Sequence, residues 1–141
     1  MTAIRTALTA VVASAAFLSA CVPVMRNKFP TITGSVVDGT SIVAGAEVLI
    51  VTHPSHNCSG ASNSVTADDS GAFLLPGKSN IEIAIFGGET ESDWMLCLRS
   101  EGRTYFGFLY FAHQSPDAMK VRCDLKRAVK EMEHGVCVLE K

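Results

Sequence analysis

The sequence predicts an all-β fold, an antiparallel β-sandwich of about seven to nine strands with a short helix near the C-terminus. Beyond residue 30 the hydrophobic pattern changes every eight to twelve residues or so and is interrupted by Gly, Pro, Asn, Asp and Ser, which is typical of such sandwiches. Helical periodicity is nearly absent. The 141 residues, 48% hydrophobic and 18% charged, suffice for one domain and exclude a wholly disordered chain.

Nine segments have the composition and length of β-strands. In chain order they are residues 32–37, 46–52, 64–67, 72–75, 81–86, 94–99, 104–112, 120–125 and 136–139. Two of them alternate as half-buried strands do. In residues 120–125 the charged side chains share one face while Val121, Cys123 and Leu125 share the other, and in residues 81–85 every second residue is isoleucine.

Residues 105–111 are apolar on both faces, which predicts a central strand. A Ser-Glu-Gly-Arg turn at residues 100–103 joins this strand to segment 94–99 in a hairpin. The helix is predicted over residues 125–133, a short amphipathic segment.

The N-terminal residues have the layout of a secretory signal peptide. Arg5 is followed by the uncharged residues 6–17, a segment too short for a transmembrane helix, which needs about 20 apolar residues. The next four residues, Leu18-Ser19-Ala20-Cys21, resemble the lipobox of bacterial lipoproteins. The resemblance implies that residues 1–20 are removed, and that Cys21 is acylated at its sulfur and its new amino terminus and anchors the protein in a membrane.

This resemblance divides the chain into a signal peptide (1–20), an extended tether (21–30) and one domain (31–141). Val22 stands where an inner-membrane retention signal of the enterobacterial kind has Asp, so the resemblance implies an outer-membrane location facing the periplasm. Loss of Arg5 changes the net charge from −2 to −3. Neither value favours nucleic acid as a partner.

Residues 32–39, 45–48 and 66–75 resemble the carboxypeptidase regulatory-like domain. That family has a transthyretin-like (prealbumin-like) β-sandwich, which the resemblance implies for about residues 31–86. Its turn glycines, turn aspartates and core residues are here Gly39, Gly45, Gly71, Asp68, Asp69, Val48 and Phe73. A departure is Ile42-Val43, where the family usually has proline and an aliphatic residue. Residues 123–137 are similar to bacterial proteins of the same class, which implies no function.

Besides Cys21 the chain has four cysteines, an even number that favours two disulfides in an exported domain. Three pairings are possible. We favour Cys123 with Cys137, because the short helix or loop between them lets the last two strands meet, and hence Cys58 with Cys97. Metal binding by thiolates is the alternative.

His53, His56 and Cys58 form a His-x2-His-x-Cys cluster, and imidazole and thiolate are suitable ligands for copper or zinc. This spacing is not an established metal signature, however, and Cys58 is expected to be oxidised. We therefore predict a solvated loop with no metal and no cofactor. His113 and His134 are predicted to be hydrogen-bonded loop residues.

Catalytic motifs are missing from the sequence, which has no Gly-x-Ser-x-Gly, no phosphate-binding glycine-rich loop and no His-Glu-x-x-His. Among transthyretin-like enzymes, the hydroxyisourate hydrolases end in Tyr-Arg-Gly-Ser, whereas residues 138–141 are Val-Leu-Glu-Lys. The intradiol dioxygenases hold iron with two Tyr and two His, yet Tyr105 and Tyr110 are expected on opposite faces of one strand. The sequence predicts no enzyme.

Two other segments could bind ligands. The acidic residues 87–93 lack the ordered oxygen spacing of calcium loops, so we expect a solvated linker. Aromatic residues of segments 94–99 and 104–112 could form a ligand platform, but on a two-sided strand they are expected in the core. They are Trp94, Phe106, Phe108 and Phe111.

Together these features predict a non-enzymatic, lipid-anchored lipoprotein of the cell envelope whose β-sandwich is an interaction or structural module. Its predicted partners are the membrane, through the lipid, and an envelope protein or polymer bound by loops or a strand edge. The alternatives are a periplasmic inhibitor or immunity lipoprotein and a metal-binding envelope protein that uses His53, His56 and Cys58.

Overall fold

The computed structural model describes residues 21–52, 58–61, 63–85, 92–112, 115–127 and 135–140. Over these residues the chain forms eleven strands and no helix, which confirms the all-β prediction. The strands are β1 (Cys21–Phe29), β2 (Thr31–Asp38), β3 (Ser41–Ile42), β4 (Glu47–Thr52), β5 (Asn63–Thr66), β6 (Ala72–Leu75), β7 (Lys78–Ile85), β8 (Ser92–Ser100), β9 (Arg103–Ala112), β10 (Ala118–Asp124) and β11 (Cys137–Leu139).

Three sheets result from the pairing of these strands. Sheet 1 has the order β11-β10-β2, and β3 and β6 share the other side of β2. Sheet 2 has the order β5-β4-β8-β9 and is antiparallel throughout. The third sheet, which we call the arm, consists of β1 and β7 in antiparallel pairing.

One pair in sheet 1 departs from the predicted antiparallel arrangement, because β10 lies parallel to β2. Alternation of polar and apolar residues shows which face of a strand is buried. It carries no information about the direction of the neighbouring strand, so the sequence could not reveal this pair.

Each of the nine predicted strands overlaps an observed one, whereas β1 and β3 were not predicted. Residues 21–29 are extended, as the tether prediction has them, but they pair with β7 along their length. Pro23 is compatible with this position because β1 has a strand on only one side, within the described residues.

The predicted helix over residues 125–133 is wrong where it can be compared. Leu125 and Lys126 form a turn, and the Arg127 N–H donates to the Asp124 carbonyl at 3.0 Å. The Asp124 carboxylate accepts from the Lys126 N–H at 3.1 Å, which adds an Asx turn at the same place. Residues 128–134 lie outside the described residues.

Both large sheets contribute side chains to one main core. Sheet 1 supplies Ile32, Val36, Phe73, Leu75 and Val121, and sheet 2 supplies Val48, Ile50, Trp94, Leu96 and Leu98. Val48 and Phe73 therefore have the core positions expected of them. In β10 the burial alternates residue by residue, as predicted from segment 120–125.

Sheet 2 is also apolar on its outer face. Leu49, Val51, Met95 and Cys97 form a second, smaller core there, with Phe106 among the half-buried side chains packed on it. This explains why residues 105–111 are apolar on both faces, although β9 is an edge strand of sheet 2 and not the central strand predicted.

Candidate functional site

Cys21, the predicted lipid attachment residue, is the first residue of β1 and the Cα partner of Ile85 at the end of β7. Cys21 is therefore itself part of the arm, and no loop separates the cysteine from the rest of β1. Residues 1–20 lie outside the described residues. Within the described residues, no helix is long and apolar enough to cross a membrane.

The root of the arm is fixed to the body of the protein by buried contacts. Phe29 is 1% exposed, and the Trp94 indole N–H donates to the Ser115 hydroxyl at 3.1 Å. That hydroxyl in turn donates to the Lys28 carbonyl at 3.4 Å. Both Trp94 and Ser115 are buried, so this chain of hydrogen bonds satisfies polar groups that would otherwise be costly to bury.

A second polar contact lies on the exposed side of the root. The Asn27 side-chain amide donates to the Asp117 carboxylate at 2.8 Å, and the Thr31 N–H donates to the Asp117 carbonyl at 3.1 Å. The orientation of the arm against the two sheets is therefore set by contacts on both sides of its root.

Farther out, the arm carries two exposed apolar side chains side by side. Met25 and Ile81 are Cα partners across the β1–β7 pair, and they are 71% and 72% exposed. The sequence did not reveal this pair, because Met25 lies in a segment without periodicity. The sequence signal for this pair was the alternation of isoleucine in residues 81–85.

The disulfide between Cys58 and Cys97 lies on the outer face of sheet 2. Cys97 is buried on β8, and the Arg99 guanidinium donates to the Cys58 carbonyl at 3.3 Å. Arg99 also pairs with Glu47, its Cα partner on β4, at 3.3 Å. The segment at Cys58 is thus attached to sheet 2 covalently and by charge-assisted hydrogen bonds.

The disulfide between Cys123 and Cys137 joins β10 and β11 in sheet 1, where the two residues are directly opposite each other with 3.9 Å between their Cα atoms. The Asp124 N–H donates to the Val136 carbonyl beside it, so the two cysteines occupy a pair without mutual backbone hydrogen bonds, where side chains are closest. Both disulfides join the cysteines that the sequence favoured.

The candidate metal ligands are not brought together in the described residues. Cys58 has its sulfur in the disulfide, and His53 and His56 lie outside the described residues, as do His113 and His134. Where the structure describes the chain, no three His, Cys, Asp or Glu residues form a group that could hold a metal ion.

The two tyrosines of β9 lie on the same side of the strand, which corrects the expectation that they face opposite sides. The register of β8 with β9 shifts between Leu96 and Cys97, so Gly107 is an extra residue in β9. Such a bulge reverses the alternation of the residues that follow it. Tyr105 and Tyr110 therefore both pack against the main core.

The aromatic residues do not form one ligand platform. Trp94 is fully buried and stacks on Tyr110, with 4.9 Å between ring centroids, and contacts Phe108 edge-on at 5.4 Å. These rings belong to the core, as predicted. Phe111 is the exception, because it lies near the end of β9 and is 64% exposed.

Only part of the outer edge of β9 is covered by described residues. The Val136 N–H donates to the Phe106 carbonyl at 2.9 Å, and Gly135 packs so closely on the backbone of Phe106 and Gly107 that a Cβ atom would not fit. No described strand pairs with this edge toward Phe111. A strand edge of this kind can accept a further strand from a partner.

Two aspartates organise turns, as the resemblance predicted for the turn at residues 68–71. The Asp68 carboxylate accepts hydrogen bonds from the Ser70 hydroxyl at 2.6 Å, the Ser70 N–H at 2.8 Å and the Ala72 N–H at 3.0 Å. These bonds, the Ser70 hydroxyl first, hold the pKa of Asp68 below its usual value. Gly71 follows with a φ of 74°, which favours glycine.

Asp124 acts similarly at the end of β10. Its carboxylate accepts from the Gly39 N–H at 2.8 Å and from the Lys126 N–H, and these two hydrogen bonds, in that order, lower the pKa of Asp124. Because the bonds favour the ionised carboxylate, they tie two adjacent turns at one end of sheet 1, the turn after β2 and the turn after β10, to the charge of Asp124.

No family model, curated protein or solved structure matches this chain. The lipoprotein and transthyretin-like resemblances therefore stay predictions that depend on the residues named for them.

Proposed function

We propose that the protein is a lipid-anchored lipoprotein of the cell envelope, whose β-sandwich of the transthyretin-like type is a non-enzymatic interaction module. One observation carries the proposal. Cys21, the cysteine of the lipobox-like segment 18–21, is itself part of strand β1 in a chain that is cross-linked by two disulfides.

The disulfides support the proposed compartment. Such bonds persist in oxidising surroundings outside the cytoplasm and are rare within it. All four cysteines other than Cys21 are used in them, which leaves Cys21 as the one cysteine for another chemistry. That pattern is what acylation of Cys21 requires.

The two sheets and their shared core support the sandwich. The positive φ values of Gly39, Gly45 and Gly71, between 68° and 74°, agree with the turn positions that the carboxypeptidase regulatory-like resemblance assigns to them. In the parallel pair β2–β10, β2 lies within the region of that resemblance and β10 lies beyond it.

The edge of β9 near Phe111 supports the interaction role. A strand edge with which no described strand pairs offers backbone donors and acceptors for the addition of a strand, and Phe111 places an exposed aromatic side chain beside it. Aromatic side chains are enriched where proteins bind one another.

Acylation of Cys21 tests the anchor. The full chain is produced in a bacterial host, and the N-terminal peptide of the membrane fraction is analysed by mass spectrometry. We expect it to begin at an acylated Cys21. A variant that carries Cys21→Ala behind an ordinary cleavable signal should appear in the soluble periplasmic fraction instead, because nothing then holds it to the membrane.

A matched control for the loss of a cysteine replaces two cysteines other than Cys21. The double variant Cys58→Ala, Cys97→Ala should keep the acylated Cys21 and stay in the membrane fraction. An unmodified Cys21 in the mature wild-type protein would overturn the proposal.

For the interaction role, a photo-crosslinking residue at position 111 should form adducts in envelope preparations that the same residue at the exposed Leu74 of sheet 1 does not form.

A further inference from the structure

We propose that the apolar pair Met25 and Ile81 holds the arm against the surface of the membrane in which Cys21 is anchored, so that the arm orients the whole domain relative to that membrane. This inference rests on the proposed acylation of Cys21. It goes further because it assigns a lipid-contacting surface to the protein part of the molecule.

The exposure of this pair is the first reason. Met25 and Ile81 are each more than two-thirds exposed, and they are adjacent on paired strands, so their side chains form one continuous apolar surface. Asn80, next to Ile81 in the strand, is polar and directed to the other side of the arm, because successive side chains alternate between the two faces of a strand. The arm is therefore amphipathic at this point.

The distance to the lipid is the second reason. Met25 lies four residues after Cys21 in a continuous strand, so their Cα atoms are at most about 13 Å apart at the usual rise of ~3.3 Å per residue. The headgroup region of a bilayer is about 5 to 8 Å thick on each side. With the acyl chains inserted, Met25 is therefore close to the lipid surface in every orientation of the arm, and a tilted arm places it in contact.

No flexible linker separates Cys21 from the apolar pair. Cys21 pairs with Ile85 and Pro23 with Ile83, so the backbone from the anchor to the apolar pair is part of a sheet and not a loose linker. Amphipathic elements bind at the lipid surface through their buried apolar area, and a neighbouring acyl anchor keeps them at that surface permanently.

The root of the arm transmits this contact to the domain. The hydrogen bonds from Asn27 to the Asp117 carboxylate and from the Ser115 hydroxyl to the Lys28 carbonyl connect the arm to the body of the protein. Once the apolar pair lies on the lipid, the two sheets can no longer rotate freely about a single cysteine. The part of the β9 edge with which no described strand pairs is then presented at a defined height and direction.

The experiment uses the acylated full-length protein in lipid vesicles. The variants Met25→Cys, Ile81→Cys and Leu74→Cys each carry one environment-sensitive thiol label, because the other cysteines are acylated or in disulfides. Leu74 is the matched control, since it is an exposed apolar residue on sheet 1, outside the arm. We expect lipids brominated on their acyl chains to quench the labels at 25 and 81 severalfold more than the label at 74. Aqueous iodide should show the reverse order.

Three results would overturn the inference. The labels at 25 and 74 could be equally accessible to iodide, which would mean that the arm stands clear of the lipid. The labels at 25 and 81 could be buried without quenching by brominated lipid, which would indicate a protein partner. Energy transfer between labelled copies that grows with the ratio of protein to lipid would indicate a second copy of the chain as the occupant.

The same preparation separates this inference from the proposed anchor. If mass spectrometry finds Cys21 acylated while the label at 25 stays accessible to water, the anchor holds and the arm contact fails. If Cys21 is unmodified, the anchor itself fails.

A double variant Met25→Asp, Ile81→Asp should stay membrane-bound through its acyl chains, but its arm should no longer contact the lipid. A label added at position 23, which is exposed on β1, should then gain accessibility to iodide.

Discussion

Sheet 1 and sheet 2 share one core but differ on their outer faces. In β10 of sheet 1, Val121 and Cys123 are buried whereas Lys120 and Arg122 are exposed. In β4 of sheet 2, Val48 and Ile50 face the main core while Leu49 and Val51 face the second one. The first sheet is a half-buried surface, and the second is a layer between two cores.

The difference shows what the stability of sheet 2 depends on. A sheet that is apolar on both faces needs a cover on its outer side. Cys58, attached through its disulfide to Cys97, is part of that cover. We therefore expect loss of this disulfide to destabilise the second core. The outer face of sheet 1, with its exposed charged side chains, needs no such cover.

The largest predicted effect comes from the two disulfides. Removal of Cys58–Cys97, which joins residues 39 apart, should cost about 4 kcal/mol of unfolding free energy in the chain-entropy model. Removal of Cys123–Cys137, which spans 14 residues, should cost about 3 kcal/mol. Urea unfolding of the two double Cys→Ala variants without reductant measures both values. A larger loss for the bond in sheet 1 would contradict the dependence of sheet 2 on its cover.

The next effect concerns the two outer faces directly. Leu49→Ala should cost about 2 to 5 kcal/mol, because Leu49 is fully buried although it points away from the main core. Arg122→Ala, on the outer face of sheet 1, should change stability by no more than about 0.5 kcal/mol. Thermal or urea unfolding of both variants tests this contrast. Similar small changes at the two positions would mean that the second core does not stabilise the fold.

The smallest effect is the response of sheet 1 to acid. The pKa values of Asp68 and Asp124 are lowered in the folded protein, so the stability that these carboxylates contribute is present above their unfolded pKa of about 3.8. It is lost as the pH falls through their lower folded values. The protection of the Ser70, Ala72 and Gly39 amides, measured as exchange relative to the intrinsic rate at each pH, should therefore fall below about pH 4.

A substitution provides the control for this acid response. Asp68→Asn should remove the pH dependence at Ser70 and Ala72 while leaving that at Gly39, which depends on Asp124. The turn between β8 and β9 should not respond, because its backbone is set by the positive φ values of Glu101 and Gly102. Acid-sensitive exchange at that turn would show that the effect is not specific to the carboxylates.

The parts of the fold that the sequence predicts are those with a local physical signature. Strand alternation over residues 120–125 reports burial of one face, and the turn at 100–103 reports a hairpin; both are present. The disulfide pairs followed from the number of cysteines and the closeness of two of them. For the candidate site, the position of Cys21 came from a short motif, and its acylation stays a prediction.

The remaining features depend on contacts that no local pattern encodes. β1 forms because β7 pairs with it, although residues 22–30 contain two prolines and no periodicity. The bulge at Gly107 moves Tyr105 and Tyr110 to the same core through one extra residue. The sequence does not show that β9 is an edge strand. An edge strand whose outer face packs on a second core is apolar on both faces, and so is a central strand.

The parallel pair in sheet 1 also constrains the order of assembly. β2 pairs along one side with β10, and the contact from the Thr33 hydroxyl to the Met119 carbonyl joins residues 86 apart. A chain that emerges from its N-terminal end therefore presents β2 long before its partner is available, and that edge stays open meanwhile. Completion of sheet 1 waits for residues 118–124, and a chain interrupted before them retains an early strand with an unprotected side.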